Sequence, residues 1–238
     1  MNRRVALVTG GAVRLGEAIS RTLAASGFRV VVHAHGHLEA ACGLAAELDG
    51  LAVGADLLDP KAPAALISEV EARCGRLDVL VNNAGIFERA PSDAVDDSSV
   101  DRHLRLNFQA PFALCRSAAP MLRRSGRGVI VNLLDVSTLR PYAGFTHYSA
   151  SKAALWAATV GLAAEWAPEI RVNGVAPGAA LFPESYTEVD REKRLSRIPQ
   201  RREPGAMAIA ETVLFLVEGP VSITGQIISV DGGRTAAF

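Results

Sequence analysis

The sequence is short of several things at once. It has three cysteines in 238 residues. Cys42, Cys74 and Cys115 lack CxxC spacing, so neither a disulfide framework nor a zinc cluster is indicated, and reduced thiols mostly buried in helices are expected. It has no excess of either charge: 25 Lys and Arg stand against 25 Asp and Glu. That balance removes the basic footprint of a nucleic-acid binder and the like-charge blocks of a solvated tail. It also lacks a long apolar run. Val5 to Val8, Val129 to Val131 and Val213 to Val217 fall far below the ~18 residues of a membrane span, so no membrane partner is expected. Met1 to Arg4 is basic, but the apolar stretch after it breaks at Thr9-Gly10-Gly11. No signal peptide is therefore read, and the expected location is cytoplasmic. Lysine is scarce as well, three among the 25 basic residues, which makes each one worth locating.

What is present is apolar residue, 49% of the chain, enough for one large domain. Short branched runs alternate with longer Ala/Leu segments of helical period: strand 5–8, helix 16–25, strand 29–33, helix 38–48, strand 51–56, helix 63–74, strand 77–82. The second half continues with a long helix over 100–125, strand 128–134, helix 146–167, strand 170–176, helix 206–217 and strand 226–230. The strands are near-continuously apolar, as strands covered on both faces must be. This pattern predicts a single α/β domain over residues 1–238, a doubly wound parallel sheet with helices on both faces. Between Gly178 and Gly205 the period lapses apart from a short helix near 188–197, and residues 179–205 read as a substrate lid, because long loops in compact domains are usually functional.

Thr9-Gly10-Gly11-Ala12-Val13-Arg14-Leu15-Gly16 lies between the first strand and first helix, where backbone N–H groups and a helix N-terminus can hold a pyrophosphate. Further along, Asn82-Asn83-Ala84-Gly85 ends the fourth strand and Tyr148-Ser149-Ala150-Ser151-Lys152 opens a later helix. With these three motifs in this order, the chain resembles the short-chain dehydrogenase/reductase superfamily over its whole length. The resemblance implies a Rossmann fold and a nicotinamide dinucleotide, with Gly10, Arg14, Leu15, Gly16, Asn83, Ala84, Tyr148, Lys152, Pro177 and Gly178 at the cofactor. It also implies a homotetramer built through the last helix and final strand. One departure is informative: Arg14 replaces the middle glycine of the usual TGxxxGxG, a variant shared with pteridine reductases, where a guanidinium beside phosphates or an electron-rich substrate edge has a use.

The end of the second strand reads Val32-His33-Ala34-His35-Gly36-His37-Leu38, with no acid before Glu39. The carboxylate that pairs with a free ribose 2′-OH in NAD enzymes is missing, so NADPH/NADP is the expected cofactor, with His33 and His35 solvated or facing phosphate. Alternate histidines on one strand face could chelate a metal. No nearby Cys or acid completes a tidy site, and no metal is expected. Asp56 matches a superfamily aspartate near the adenine; structurally it reads equally well as a strand-end cap.

Tyr148 and Lys152 are four apart, one helical turn on the same face. An ammonium near a phenol favours phenolate, so the sequence predicts a Tyr148 pKa drawn down toward the working range. Asn107 matches a superfamily asparagine that holds a relay water beside the lysine; a buried, hydrogen-bonded structural asparagine is its other reading. Thirteen residues before the tyrosine, where ordinary members carry a serine that donates to a substrate carbonyl, stands Asp135. An ionised carboxylate only accepts hydrogen bonds and repels the oxygen of a carbonyl gaining hydride. Ser137, eleven residues before Tyr148, could do the serine's work only with a shift of the strand end. Phe87, two residues after Asn-Asn-Ala-Gly, can stack a flat heterocycle against the nicotinamide or serve as an apolar plug.

Arg14, Phe87, Asp135, Tyr148 and Lys152 together resemble the active-site set of pteridine reductases, and Gly85 stands where some of those enzymes have a serine. That resemblance implies an NADPH-dependent reductase of a pterin or folate, with Arg14, Phe87, Asp135 and Tyr148 on the substrate and Asp135, Tyr148, Lys152 and Asn107 in catalysis. Two other readings stand beside it: a reductase of ordinary carbonyls, and a nucleotide-sensing protein of the same fold, against which the intact Tyr148 and Lys152 argue.

Overall fold

A computed structural model describes residues 3–178, 180 and 187–237. The expected alternation is observed: β1 (Val5–Val8), α1 (Arg14–Ala25), β2 (Arg29–Ala34), α2 (Leu38–Glu47), β3 (Leu51–Gly54), α3 (Ala62–Cys74) and β4 (Val79–Asn82). It continues as α4 (Asp97–Leu104), α5 (Ala110–Ser125), β5 (Gly128–Leu133), α6 (Thr146–Trp166), β6 (Ile170–Pro177), α7 (Glu188–Leu195), α8 (Gly205–Glu218) and β7 (Ile227–Val230). The seven strands form one parallel sheet in the order β3-β2-β1-β4-β5-β6-β7.

Alternate strand residues feed two cores. Val8, Val30, Val32, Val79 and Val81 face α1, α2 and α8, and meet Ile19, Leu23, Ile209 and Val213. Leu7, Val31, Leu80 and Ile130 face the opposite layer, with Leu66 of α3, Leu114 and Leu122 of α5 and Leu162 of α6. Each such fully buried side chain contributes about 1.5–3 kcal/mol relative to exposure, which is why β1, β4 and β5 are buried along their whole length. The sheet order reverses direction between β1 and β4. In open α/β sheets a ligand crevice forms at such a switch point, outside the carboxyl ends of the strands.

Two expectations need refinement. The helix expected over 100–125 is present as α4 and α5, continuous through a widened π turn at Arg105–Gln109, a device that inserts an extra residue into the helical ladder and recurs at functional sites. The cysteines are all helical, but only Cys115 is buried; Cys42 is exposed and Cys74 half-buried. Residues 179 and 181–186 of the expected lid lie outside the described residues. The described remainder contains α7, started by a Thr187/Asp190 capping box, and then Ile198, wholly buried. Among the described residues no helix is long and apolar enough to cross a membrane.

Candidate active site

The turn after β1 is built for close approach. Gly10 has φ of +59° and lies against Ala84 and Asn83, and a Cβ on Gly16 would sit 1.9 Å from the Gly10 carbonyl oxygen. Arg14 adopts the left-handed conformation, φ +54°, which costs an L-residue about 1–2 kcal/mol; backbone strain of this kind collects at functional sites. Val13, the residue before α1, gives the helix no side-chain cap, so the first-turn N–H groups are left for an anion. These features fit the pyrophosphate of a dinucleotide. Asn83 acts from behind: its Nδ2 donates to the carbonyls of Thr9 (2.9 Å) and Gly10 (3.0 Å), while Thr9 Oγ1 accepts from the N–H groups of Asn83 and Ala84. Pro177 ends β6, and the N–H of Gly178 donates to Val230 O. Leu15 is half-buried against the α1 core.

His33 is not solvated and does not face phosphate. It is 2% exposed, its Nδ1 accepts from Gly10 N at 3.2 Å, and its Nε2 meets the carbonyl of Ala55 at 3.0 Å. A carbonyl can only accept, so the ring is neutral with its proton on Nε2; burial, opposed by that bond to Ala55, lowers its pKa below the usual histidine value. His33 therefore supports the glycine turn from beneath. His35 lies past the strand end, exposed, with Nδ1 3.7 Å from Asp56 Oδ1. Asp56 also accepts from Leu58 N at 2.9 Å, the capping arrangement that was one of its two readings.

At the chemical end, Tyr148 Oη donates to Asp135 Oδ2 at 2.9 Å and Ser137 N donates to Asp135 Oδ1 at 2.6 Å. Lys152 Nζ donates to Leu133 O at 2.8 Å. The expected depression of the Tyr148 pKa is reversed. Burial, the charge of Asp135 and the hydrogen bond to it hold the phenol well above its ordinary value, so Tyr148 is a neutral donor. Burial also raises Asp135, against the hydrogen bonds of Ser137 and Tyr148 and the charge of Lys152. Lys152 is lowered to about 8 by burial, opposed by Asp135. Ser137 is wholly buried, and its backbone N–H is held by Asp135.

Asn107 sits on the π turn. Its Oδ1 accepts from Ile86 N, and its Nδ2 donates to Ile86 O and to Ser151 Oγ, each within 3.0 Å. It cross-links the exit of β4 to α6, as its structural reading required. A Cβ on Gly85 would meet Asn107 Oδ1 at 2.9 Å and Lys152 Nζ at 3.5 Å, so a serine there needs Asn107 to shift. Phe87 is 57% exposed. Its ring stacks on Phe145 at 4.3 Å and 7° and meets Tyr148 edge-on at 4.7 Å.

Residues 4–193, which hold every one of these groups but those after α7, match the short chain dehydrogenase family. The chain belongs to the short chain dehydrogenase family. It is 36% identical over 257 residues to 4-formylbenzenesulfonate dehydrogenase TsaC1/TsaC2 of Comamonas testosteroni, covering 98% of both chains. It is 32% identical over 244 residues to the 3-oxoacyl-[acyl-carrier-protein] reductase FabG of Thermotoga maritima, covering 97% of both. Among solved structures, FolM alternative dihydrofolate reductase 1 from Brucella suis, in complex with NADP, superposes with a TM-score of 0.92 at 35% identity, over 99% of this chain and 96% of that one.

Residues that sequence reasoning missed complete this short chain dehydrogenase site from below. Asn82 Nδ2 donates to Asn132 Oδ1 (2.8 Å), and Asn132 Nδ2 donates to Thr159 Oγ1 (2.9 Å), tying β4, β5 and α6 together under the cleft. The available signal was two asparagines closing otherwise apolar strands. Tyr142 and Arg234 also stand at the cleft, Arg234 with its Cζ 4.9 Å from the Tyr142 ring centroid. No motif marked either one.

Proposed function

We propose that this short chain dehydrogenase is an NADPH-dependent reductase of a dihydropteridine, giving the tetrahydro form. The observation that carries the reading is the hydrogen bond from Tyr148 to Asp135 Oδ2. In a carbonyl reductase the tyrosine proton must reach the substrate oxygen. Here it is directed at a carboxylate, which would repel an oxygen gaining negative charge. A flat ring presenting N–H groups suits both partners.

NADP(H) is supported by the uncapped first turn of α1, the close approach at Gly10 and Gly16, the absence of an acid after β2, and the likeness to NADP-bound structures. Gly10, Arg14, Leu15, Gly16, Ala84, Pro177 and Gly178 would line it, with His35 toward the ribose phosphate and Asp56 toward the adenine. When bound, the reduced nicotinamide supplies a hydride, here to a ring carbon of the pterin C=N system. The chain's own residues handle the proton that the adjoining nitrogen gains. Asp135 accepts from a ring N–H, and burial keeps its protonated form accessible. The Tyr148 and Asp135 pair holds the proton to be delivered, and the charge of Lys152 offsets the negative charge left on the pair. Phe87, stacked on Phe145, offers an exposed face to the flat ring.

The FabG relatives favour a second reading, reduction of a carbonyl, and one assay separates the two. NADPH oxidation is followed in parallel with a dihydropterin, dihydrofolate and a panel of ketones and 3-oxoacyl thioesters. Turnover of the dihydropteridines well above the carbonyl panel is expected; the reverse order overturns the proposal.

A further inference from the structure

The rings beside Tyr148 form a connected series. Tyr148 meets Phe87, Phe87 stacks on Phe145, and Phe145 meets Tyr142 edge-on at 6.5 Å. At the far end the guanidinium of Arg234 lies over the Tyr142 ring, 4.9 Å from its centroid. The wall is thus aromatic along its length, one stacked pair between two edge-on contacts, and cationic at its tip. Tyr142 registers both ends: burial first, then the charge of Asp135, pushes its hydroxyl up to about 12, while Arg234 and Arg194 act the other way.

Arg234 is held in place without being neutralised. It follows Gly232 and Gly233, both with positive φ, in a turn closed by Asp231. Both oxygens of that carboxylate are spent on the turn itself: Oδ1 accepts from Gly233 N at 2.9 Å, and Oδ2 accepts from the N–H and hydroxyl of Thr235, each at 2.7 Å. Among the described residues no carboxylate pairs with the Arg234 guanidinium. A planar fork that is fixed over a ring, half-buried and unpaired is the geometry that takes a carboxylate in two parallel hydrogen bonds.

Resting on the dihydropteridine reading above, we propose that Arg234 is a specificity-determining residue that selects substrates whose flat ring carries a carboxylate tail, folate-type dihydropteridines, over those with a neutral hydroxylated side chain. The ring lies along Tyr148, Phe87 and Phe145, and the tail runs past Tyr142 to the guanidinium. Any anionic tail shares this chemistry, and the phosphate of a carrier thioester is distinguished from a carboxylate by the test.

The test compares wild type, Arg234→Ala and Arg234→Lys on dihydrofolate and on dihydrobiopterin, which has no carboxylate, with acetoacetyl-coenzyme A as the phosphate-bearing control. The readout is the ratio of the two kcat/KM values, together with binding of each compound to the NADP-loaded protein by fluorescence quenching. Arg234→Ala is expected to lower the ratio about 10-fold or more, the size of a lost charge-assisted hydrogen bond, through KM rather than kcat. Arg234→Lys should recover part of it. A ratio unchanged in Arg234→Ala overturns the inference, as does a selective loss on acetoacetyl-coenzyme A with dihydrofolate untouched. Binding separates this inference from the reading beneath it. If dihydrofolate binds unreduced and Arg234→Ala weakens that binding, the tail site stands and the reductase reading falls. If dihydrofolate neither binds nor reacts, both fall.

Discussion

Asp135 is an expensive residue to keep. Its carboxyl is largely enclosed, and burial raises its pKa above the ordinary carboxylate value. An acid whose folded pKa is raised binds its proton more tightly in the folded state, so its contribution to stability is greatest below the unfolded pKa and is lost as pH climbs through the folded one. At neutral pH the group therefore weighs against folding. Asp135→Asn is expected to raise the melting temperature at pH 7 and to leave it little changed near pH 3, because the amide can still accept from Ser137 N. A melting temperature lowered at pH 7 would show that the carboxylate is a net stabiliser, retained for folding rather than for function. Its identity was legible in the sequence through its spacing to Tyr148. The direction of the tyrosine's own pKa was not, because the i,i+4 spacing to Lys152 says nothing about which acceptor each side chain finds. Lys152 donates to Leu133 O and Tyr148 to Asp135.

At the scale of elements, the alternation of branched runs with helical periods placed every strand, since burial on both faces demands unbroken apolar runs. The π turn was invisible because Arg105–Gln109 carries no Gly or Pro to mark it; tertiary contacts of Asn107 with Ile86 and Ser151 hold it. His33 was misplaced for a similar reason. The sequence puts it at the end of β2 and cannot say that the ring turns inward, where it joins the β1 turn to the exit of β3. That bridge makes a prediction. His33→Phe fills the space but removes the acceptor for Gly10 N–H, and NADPH affinity measured by fluorescence titration should fall about 10-fold, the cost of leaving one buried donor unpaired. The wild-type affinity should decline with acid as well: the folded pKa lies below 6.5, and protonation there puts a hydrogen on the Nδ1 that now accepts. A His33→Phe variant that binds NADPH as tightly as wild type would contradict the bridge.

The whole molecule explains why so many scattered motifs converge. The Gly10 turn, His35, Asn83, Asp135, Gly178 and Asp231 follow β1, β2, β4, β5, β6 and β7 at one end of the parallel sheet, and the order reversal between β1 and β4 opens the crevice there. A fold with this property makes its cofactor end legible from motifs, whereas the substrate end depends on loops. Tyr142 lies between β5 and α6 and Arg234 lies past β7, in loops whose residues follow no motif or period, so neither had a sequence signature. The central claim, that the carboxylate at Asp135 adapts the common scaffold to a nitrogen heterocycle, is tested most directly by Asp135→Ser assayed for NADPH oxidation with a dihydropteridine and with ketones. The account predicts that dihydropteridine turnover drops by about 10² to 10⁴, the range of general acid–base roles, that NADPH binding persists, and that slow ketone reduction emerges. Full dihydropteridine activity in Asp135→Ser would contradict it and move carbonyl reduction to the front.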